Sequence, residues 1–184
     1  NRPGLDRRLP EIIANIDEGG RAAVLWIDLD RFKEVNDLKG HQAGDRVLQE
    51  IGGRIAALID DDSVLARFAG DEFVVACPAA DRNAASMLAS MILGEVRRPM
   101  LVEGERLEMG ASIGIALLPD DGATPEELMR HADVALYEAK VGGRSQIRFF
   151  TPSMTRDLTH RRKIETELRL ALSRGELSVY FQPI

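Results

Sequence analysis

From Ala22 to Leu29 the chain reads AAVLWIDL, and the run closes on the acids of Asp28-Leu29-Asp30. It is continuous and apolar but too short for a full helix, so it predicts a strand buried on both faces. Upstream, Pro3 suits a first helical turn, and Leu5, Leu9, Ile12, Ile13 and Ile16 recur at helical spacing until Gly19-Gly20 stops the pattern. Downstream, an irregular segment is expected through Gly40. From Asp45 to Ile59 the residues Val47, Leu48, Ile51, Ile55, Leu58 and Ile59 then share one helical face.

Asp60-Asp61-Asp62-Ser63 forms a solvated break, after which Val64 to Phe68 and Phe73 to Cys77 read as the strands of a tight antiparallel hairpin. The tip of that hairpin, Ala69-Gly70-Asp71-Glu72, carries two acids. Arg82 to Arg97 predicts a helix, and Leu101 to Glu103 with Leu107 to Leu117 predicts a second hairpin around Gly104. Thr124-Pro125-Glu126-Glu127 is an N-cap followed by proline and first-turn acids, opening a helix to about Val141 that Gly142-Gly143 ends. Ile147 to Phe150 is a closing strand. This order implies an α+β fold, a mixed central sheet with helices packed on it. From Ser153 a further amphipathic helix runs to Arg174-Gly175, followed by a strand candidate from Leu177 to Ile184.

Composition narrows the function classes. With 184 residues the chain buries roughly 70% of the surface it exposes when unfolded, and its core needs neither metal nor disulfide. Cys77 stands alone, so no disulfide scaffold is possible, and it reads as a small buried hydrophobe. The apolar runs fall short of a bilayer span, and no membrane contact is expected of this segment. Asn1 is followed by no basic-then-apolar leader, so the chain reads as a cytoplasmic piece of a longer protein, membrane anchoring outside the piece being left open. Thirty acids against 24 bases give a net charge of −6, which offers no broad field for nucleic acid. A polyanionic ligand must then be met by a few local cations or a metal.

Two acid pairs carry the chemistry. Asp28 and Asp30 end the buried strand, Asp71 and Glu72 sit at the hairpin tip, and the two pairs converge if these elements are neighbours in the sheet. Hard oxygen ligands from separate elements suit magnesium bound to phosphate. The alternative is that the acids only punctuate strand ends and turns. A calcium loop fails on spacing, because Phe32 and Lys33 stand where an oxygen ligand and a glycine are required.

Four ordered blocks extend this reading: DLDRFKEVNDLKGHQAGDRVL from Asp28 to Leu48, RFAGDEF from Arg67 to Phe73, SIGIALLPDDG from Ser112 to Gly122, and ADVALYEAKVGGRS from Ala132 to Ser145. Together they resemble the GGDEF domain of bacterial diguanylate cyclases, here over residues 1–150 in an Ala-Gly-Asp-Glu-Phe variant. Asn1-Arg2 resembles the end of the family's Leu-Thr-x-Leu-x-Asn-Arg segment. The resemblance implies a fold similar to the palm of nucleotidyl cyclases and polymerases. It also implies a reaction that joins two GTP into cyclic di-GMP with release of pyrophosphate, each domain of a homodimer holding one GTP.

By the same resemblance Asp28 and the Leu29 carbonyl ligate Mg2+, with Mn2+ as an alternative. Asp71 shares the metal and orients or deprotonates the 3′-hydroxyl, and Glu72 is a further ligand, in a two-metal clamp whose ions lie about 3.5 to 4 Å apart. Asn36 and Asp45 correspond to the guanine-reading pair, since a carboxylate accepts from the guanine N1 and N2 hydrogens that adenine does not offer. Phe32, Lys33, Gly70, Lys140 and Arg144 complete the substrate-binding set, the cations facing the triphosphate and Gly70 letting the backbone approach it. His41 reads as structural, and His131 and His160 as solvated.

Two departures bear on activity. Ala69 replaces the first signature glycine and costs about 1 kcal/mol if the position needs a positive φ. Asp60-Asp61-Asp62-Ser63 stands where many members carry an Arg-x-x-Asp product-inhibition site, so no feedback through that site is expected. Residues 151–184 resemble the linker helix and first strand of an EAL phosphodiesterase domain, without the Glu-Ala-Leu motif. The expected parent is a tandem protein, with the cyclase reading set against a catalytically silent GTP-binding module that regulates the EAL domain.

Overall fold

A computed structural model describes residues 2–15, 20–79, 81–176, 178 and 180–181 of the chain. In chain order these form α1 (Arg2–Ala14), β1 (Ala22–Asp30), α2 (Phe32–Lys39), α3 (His41–Ala56), β2 (Val64–Ala69), β3 (Glu72–Pro78), α4 (Arg82–Arg97), β4 (Met100–Val102), β5 (Glu105–Leu107), β6 (Gly110–Leu118), α5 (Pro125–Val141), β7 (Ile147–Phe149) and α6 (Pro152–Ser173). The chain divides into two compact units, Asn1–Phe150 and Thr151–Ile184.

The apolar run that opens β1 forms the centre of a five-stranded sheet ordered β2-β3-β1-β6-β7. β3 and β6 pair antiparallel with β1 on either side, and β7 joins β6 in parallel. Because strand side chains alternate faces, β1 supplies two cores. Ala23, Leu25, Ile27 and Leu29 pack with buried residues of α2, α3 and α4. Ala22, Val24 and Trp26 pack with Leu5, Leu9 and Ile12 of α1 and with Leu128, Ala132 and Leu136 of α5. That double burial is why the run has no polar alternation. The even-numbered face continues past Trp26 to Asp28 and Asp30.

The layered α+β architecture, the first hairpin, α4, α5 with its Thr124 cap and β7 follow the sequence reading. The Thr124 hydroxyl accepts from the Glu127 N–H at 3.2 Å, and Asp81 caps α4 by accepting from the Ala84 N–H at 2.8 Å. Three elements differ. Residues 32–39 form α2 where an irregular segment was expected, held by the burial of Phe32 and Val35 one turn apart. α3 begins at His41 and ends at Ala56, with Ala43 and Gly44 already buried. The second hairpin is only β4 with β5 as a separate two-stranded sheet, and β6 is an independent strand beside β1. Glu108, in the two-residue gap between β5 and β6, breaks the apparent run between Leu107 and Leu117.

Ile16, Gly19 and part of the expected terminal strand (Leu177, Val179 and residues 182–184) lie outside the described residues; Ser178, Tyr180 and Phe181 form no strand. Among the described residues no helix is long and apolar enough to cross a membrane.

Candidate active site

Antiparallel pairing places the two acid pairs side by side. Asp28 on β1 is the direct cross-strand partner of Glu72 on β3, and the Leu29 N–H donates to the Asp71 carbonyl at 3.3 Å. α5 lies on the same face and brings Lys140, whose ammonium donates to Asp28 Oδ2 at 2.5 Å. α5 can approach so closely because it packs on Gly114 of β6, where a Cβ would sit 2.1 Å from both the Ala132 carbonyl oxygen and the Leu136 nitrogen.

The electrostatics follow from this crowding. Burial pushes the Asp28 carboxyl above its ordinary value; Lys140 opposes the shift, and Asp71 and Asp30 add to it. Burial likewise raises Glu72, opposed by Lys140 and by the Trp26 indole and reinforced by Asp28 and Asp133. Two half-buried carboxylates at paired positions, with a third acid at the tip, form a hard oxygen donor set that fits a divalent cation. Among the described residues no three His, Cys, Asp or Glu side chains are gathered in metal-binding geometry. In this arrangement Lys140 supplies the positive charge at Asp28.

Asp30 behaves differently from Asp28. It is buried and accepts from the Ser112 hydroxyl at 2.7 Å, the Ser145 N–H at 2.9 Å and the Ser145 hydroxyl at 2.8 Å. Asp30 therefore ties β1 to the turn after α5 and is not a free ligand. The same turn carries Arg144, exposed and at φ 61°. Arg144 lines an open cleft of about 490 Å³ with Arg31, Lys39 and Gly143. Arg31, at φ 60°, is a cation that the sequence reading left out of the site; its signal was its place directly after the strand-ending acids.

Asn36 of α2 and Asp45 of α3 lie either side of the Gly40 corner. A Cβ on Gly44 would sit 2.0 Å from Asn36 Oδ1 and 3.0 Å from the Phe32 ring tip, so a bare Cα at Gly44 is what lets α2 and α3 meet there. Phe32 is buried beneath this corner, and Lys33 and Asp45 are exposed. Gly44 is a site-shaping residue that helical periodicity does not reveal.

At the hairpin tip Gly70 has φ 50° and nothing within 4 Å of a notional Cβ, and its carbonyl accepts from Arg67 Nε at 2.8 Å. Ala69 pairs with Glu72 at the end of β2 and is not among the positive-φ residues. The strain anticipated for alanine at that position is absent.

Comparisons with known proteins agree with this architecture. The family described as "Diguanylate cyclase, GGDEF domain" matches residues 1–146. The chain is 41% identical, over its whole length, to the bifunctional diguanylate cyclase/cyclic di-GMP phosphodiesterase MucR of Pseudomonas aeruginosa, and spans 27% of that protein. It is 38% identical over 90% of its length to the cyclic di-GMP phosphodiesterase NbdA of the same organism, spanning 21% of it. The crystal structure of a sensory box/GGDEF family protein from Caulobacter crescentus superposes with a TM-score of 0.74 at 44% identity, covering 78% of this chain and 94% of that one. A palm-like sheet with its acids at the β1 and hairpin ends, and a family match over most of the length, establish that this chain belongs to the GGDEF domain family of cyclic di-GMP signalling.

Proposed function

We propose that the domain is a diguanylate cyclase, condensing two GTP into cyclic di-GMP across a homodimer. The observation that carries this reading is the Asp28–Glu72 register, which sets both acid pairs and Lys140 at one end of the sheet. Asp28, the Leu29 carbonyl, Asp71 and Glu72 would hold Mg2+ or Mn2+. When bound, the ion supplies charge stabilisation for the reacting phosphate and the departing pyrophosphate.

The chain's own residues do the rest. Asn36 and Asp45 read guanine, and Gly44 with Phe32 keeps the corner between them closed. Lys140, released from Asp28, joins Lys33 and Arg144 on the triphosphate, supplying local positive charge in a domain of net negative charge. Gly70 leaves its Cα bare for the nucleotide. Asp71 orients the 3′-hydroxyl and takes its proton as the 3′-oxygen bonds to the α-phosphorus of the facing GTP. The bond from that phosphorus to the β-phosphate oxygen breaks, and pyrophosphate leaves. A second, symmetric event closes the ring, so two phosphodiester bonds and two pyrophosphates are formed.

Residues 151–184 are proposed as the opening of an EAL domain in the parent protein. The phosphodiesterase name of NbdA favours a second reading, in which this domain binds GTP without turning it over and regulates that neighbour. The test is cyclic di-GMP and pyrophosphate production from GTP and Mg2+, by the full-length protein and by this chain fused to a strong dimeriser. Product that disappears in Asp71→Ala supports the cyclase. GTP binding without product from either form supports the regulatory module.

A further inference from the structure

Trp26 is the only tryptophan in the chain and is 8% exposed. Its indole nitrogen is fully buried and makes no hydrogen bond, which is costly for a donor inside a protein. The ring itself is held firmly. Phe68 meets it edge-on with centroids 4.7 Å apart and an interplanar angle of 63°, and Leu5, Leu9 and Leu136 belong to the same core. A rigid ring with an unsatisfied N–H points to an acceptor that engages in another state of the site.

The sheet register identifies candidates. Trp26 and Asp28 lie on the same face of β1, two residues apart, and their cross-strand partners on β3 are Val74 and Glu72. Glu72 is thus the diagonal neighbour of Trp26, within reach of a large aromatic side chain on that face. The indole already favours the ionised form of Glu72, without reaching hydrogen-bond geometry. Asp133 of α5 is a second candidate, lining an open groove with Trp26, Phe68 and Met129 to which Asp6 and Glu126 also contribute.

We infer that Trp26 is a positioning residue for Glu72: its indole N–H donates to the ionised carboxylate and sets the direction in which that carboxylate faces the site. The contact itself is independent of the cyclase reading; its effect on turnover rests on that reading. The indole acts on the site only through Glu72.

A single tryptophan gives a single indole 1H–15N resonance, which reads the N–H directly. With Mg2+ and GTP present, the resonance of the parent chain is expected downfield, shifted part of the way back in Glu72→Gln and fully upfield in Glu72→Ala. It should be unmoved in Asp133→Asn. A resonance indifferent to Glu72, or one that follows Asp133 instead, overturns the assignment whether or not the protein makes product. In the full-length protein Trp26→Phe, which keeps the apolar packing, is expected to lower kcat about ten- to a hundredfold, the value of one hydrogen bond to a charged group, with KM for GTP unchanged. An unchanged kcat in a Trp26→Phe protein that does turn over would also overturn it. Absence of all turnover in the parent counts against the cyclase reading and leaves the resonance to decide the contact.

Discussion

Lys140 and Asp28 are 112 positions apart in sequence and in direct contact in the fold, their charged atoms 2.5 Å apart on neighbouring elements α5 and β1. Both side chains are largely withdrawn from water, at 30% and 13% exposure, so the pair is more than a surface ion pair. Lys140→Met leaves Asp28 half-buried without its cation. It is expected to lower stability at neutral pH by about 2 kcal/mol in urea unfolding. Asp28→Asn in the same chain should recover most of that loss, because a neutral amide has no charge to desolvate. Additive losses in the double variant would show that the contact is not energetically coupled.

Two glycine substitutions should act in opposite directions. Gly114→Ala drives a methyl into the α5 backbone, 2.1 Å from the Ala132 carbonyl and the Leu136 nitrogen, neither of which can rotate away. The expected cost is at least about 3 kcal/mol. Gly53→Ala, on the exposed side of α3 with nothing within 4 Å, should stabilise by about 0.5–1 kcal/mol through helix propensity. Thermal unfolding of the two variants against the parent checks both signs.

Gly44→Ala tests the corner that holds Asn36. The new methyl would sit 2.0 Å from Asn36 Oδ1, so the amide must swing out of the position it now holds. On the proposed function, GTP binding weakens at least tenfold, about 1.4 kcal/mol, and discrimination against ATP falls with it. Competition binding with the two nucleotides measures this. Equal affinity for GTP in parent and variant would show that Asn36 does not read the base.

Cys77 lies on β3 opposite Ala23 of β1, and burial pushes its thiol from 9.0 up to about 11. Between these values the unfolded chain loses its proton while the folded chain keeps it. The stabilisation is full below pH 9 and is lost as pH rises through 11, by about 3 kcal/mol at most. Urea unfolding across this range should fall more steeply for the parent than for Cys77→Ala. In the native state the thiol should also react slowly with iodoacetamide at neutral pH.

The parts of the fold legible in the sequence are those where burial writes a long or capped pattern. β1 was readable because both faces are covered, and α5 because Thr124 and Pro125 mark its start. α2 was not, because its eight residues bury only Phe32 and Val35, and a short polar helix leaves too little periodicity to count. The merged second hairpin has the same origin: β5 is three residues long and only two residues separate it from β6, too little to mark where one strand ends.

For the site, the acids and cations came from the resemblance and from strand-end placement. Which acid faces where depended on pairing. Asp28 and Asp30 look equivalent in sequence, yet only Asp30 meets the Ser112 and Ser145 hydroxyls. Gly44 and the Trp26 N–H owe their roles to neighbours on other elements, which no spacing along the chain encodes.

β1 is bonded on both sides, whereas β2 is paired only to β3 and lies at the sheet margin. The acids of the site therefore belong to two different opening reactions. The β1 strand that carries Asp28 is released only when the whole domain unfolds, while the Gly70-Asp71 tip, and with it the Leu29 amide bonded to the Asp71 carbonyl, can open at far smaller cost. One half of the site is as durable as the domain itself, and the other is as compliant as a loop.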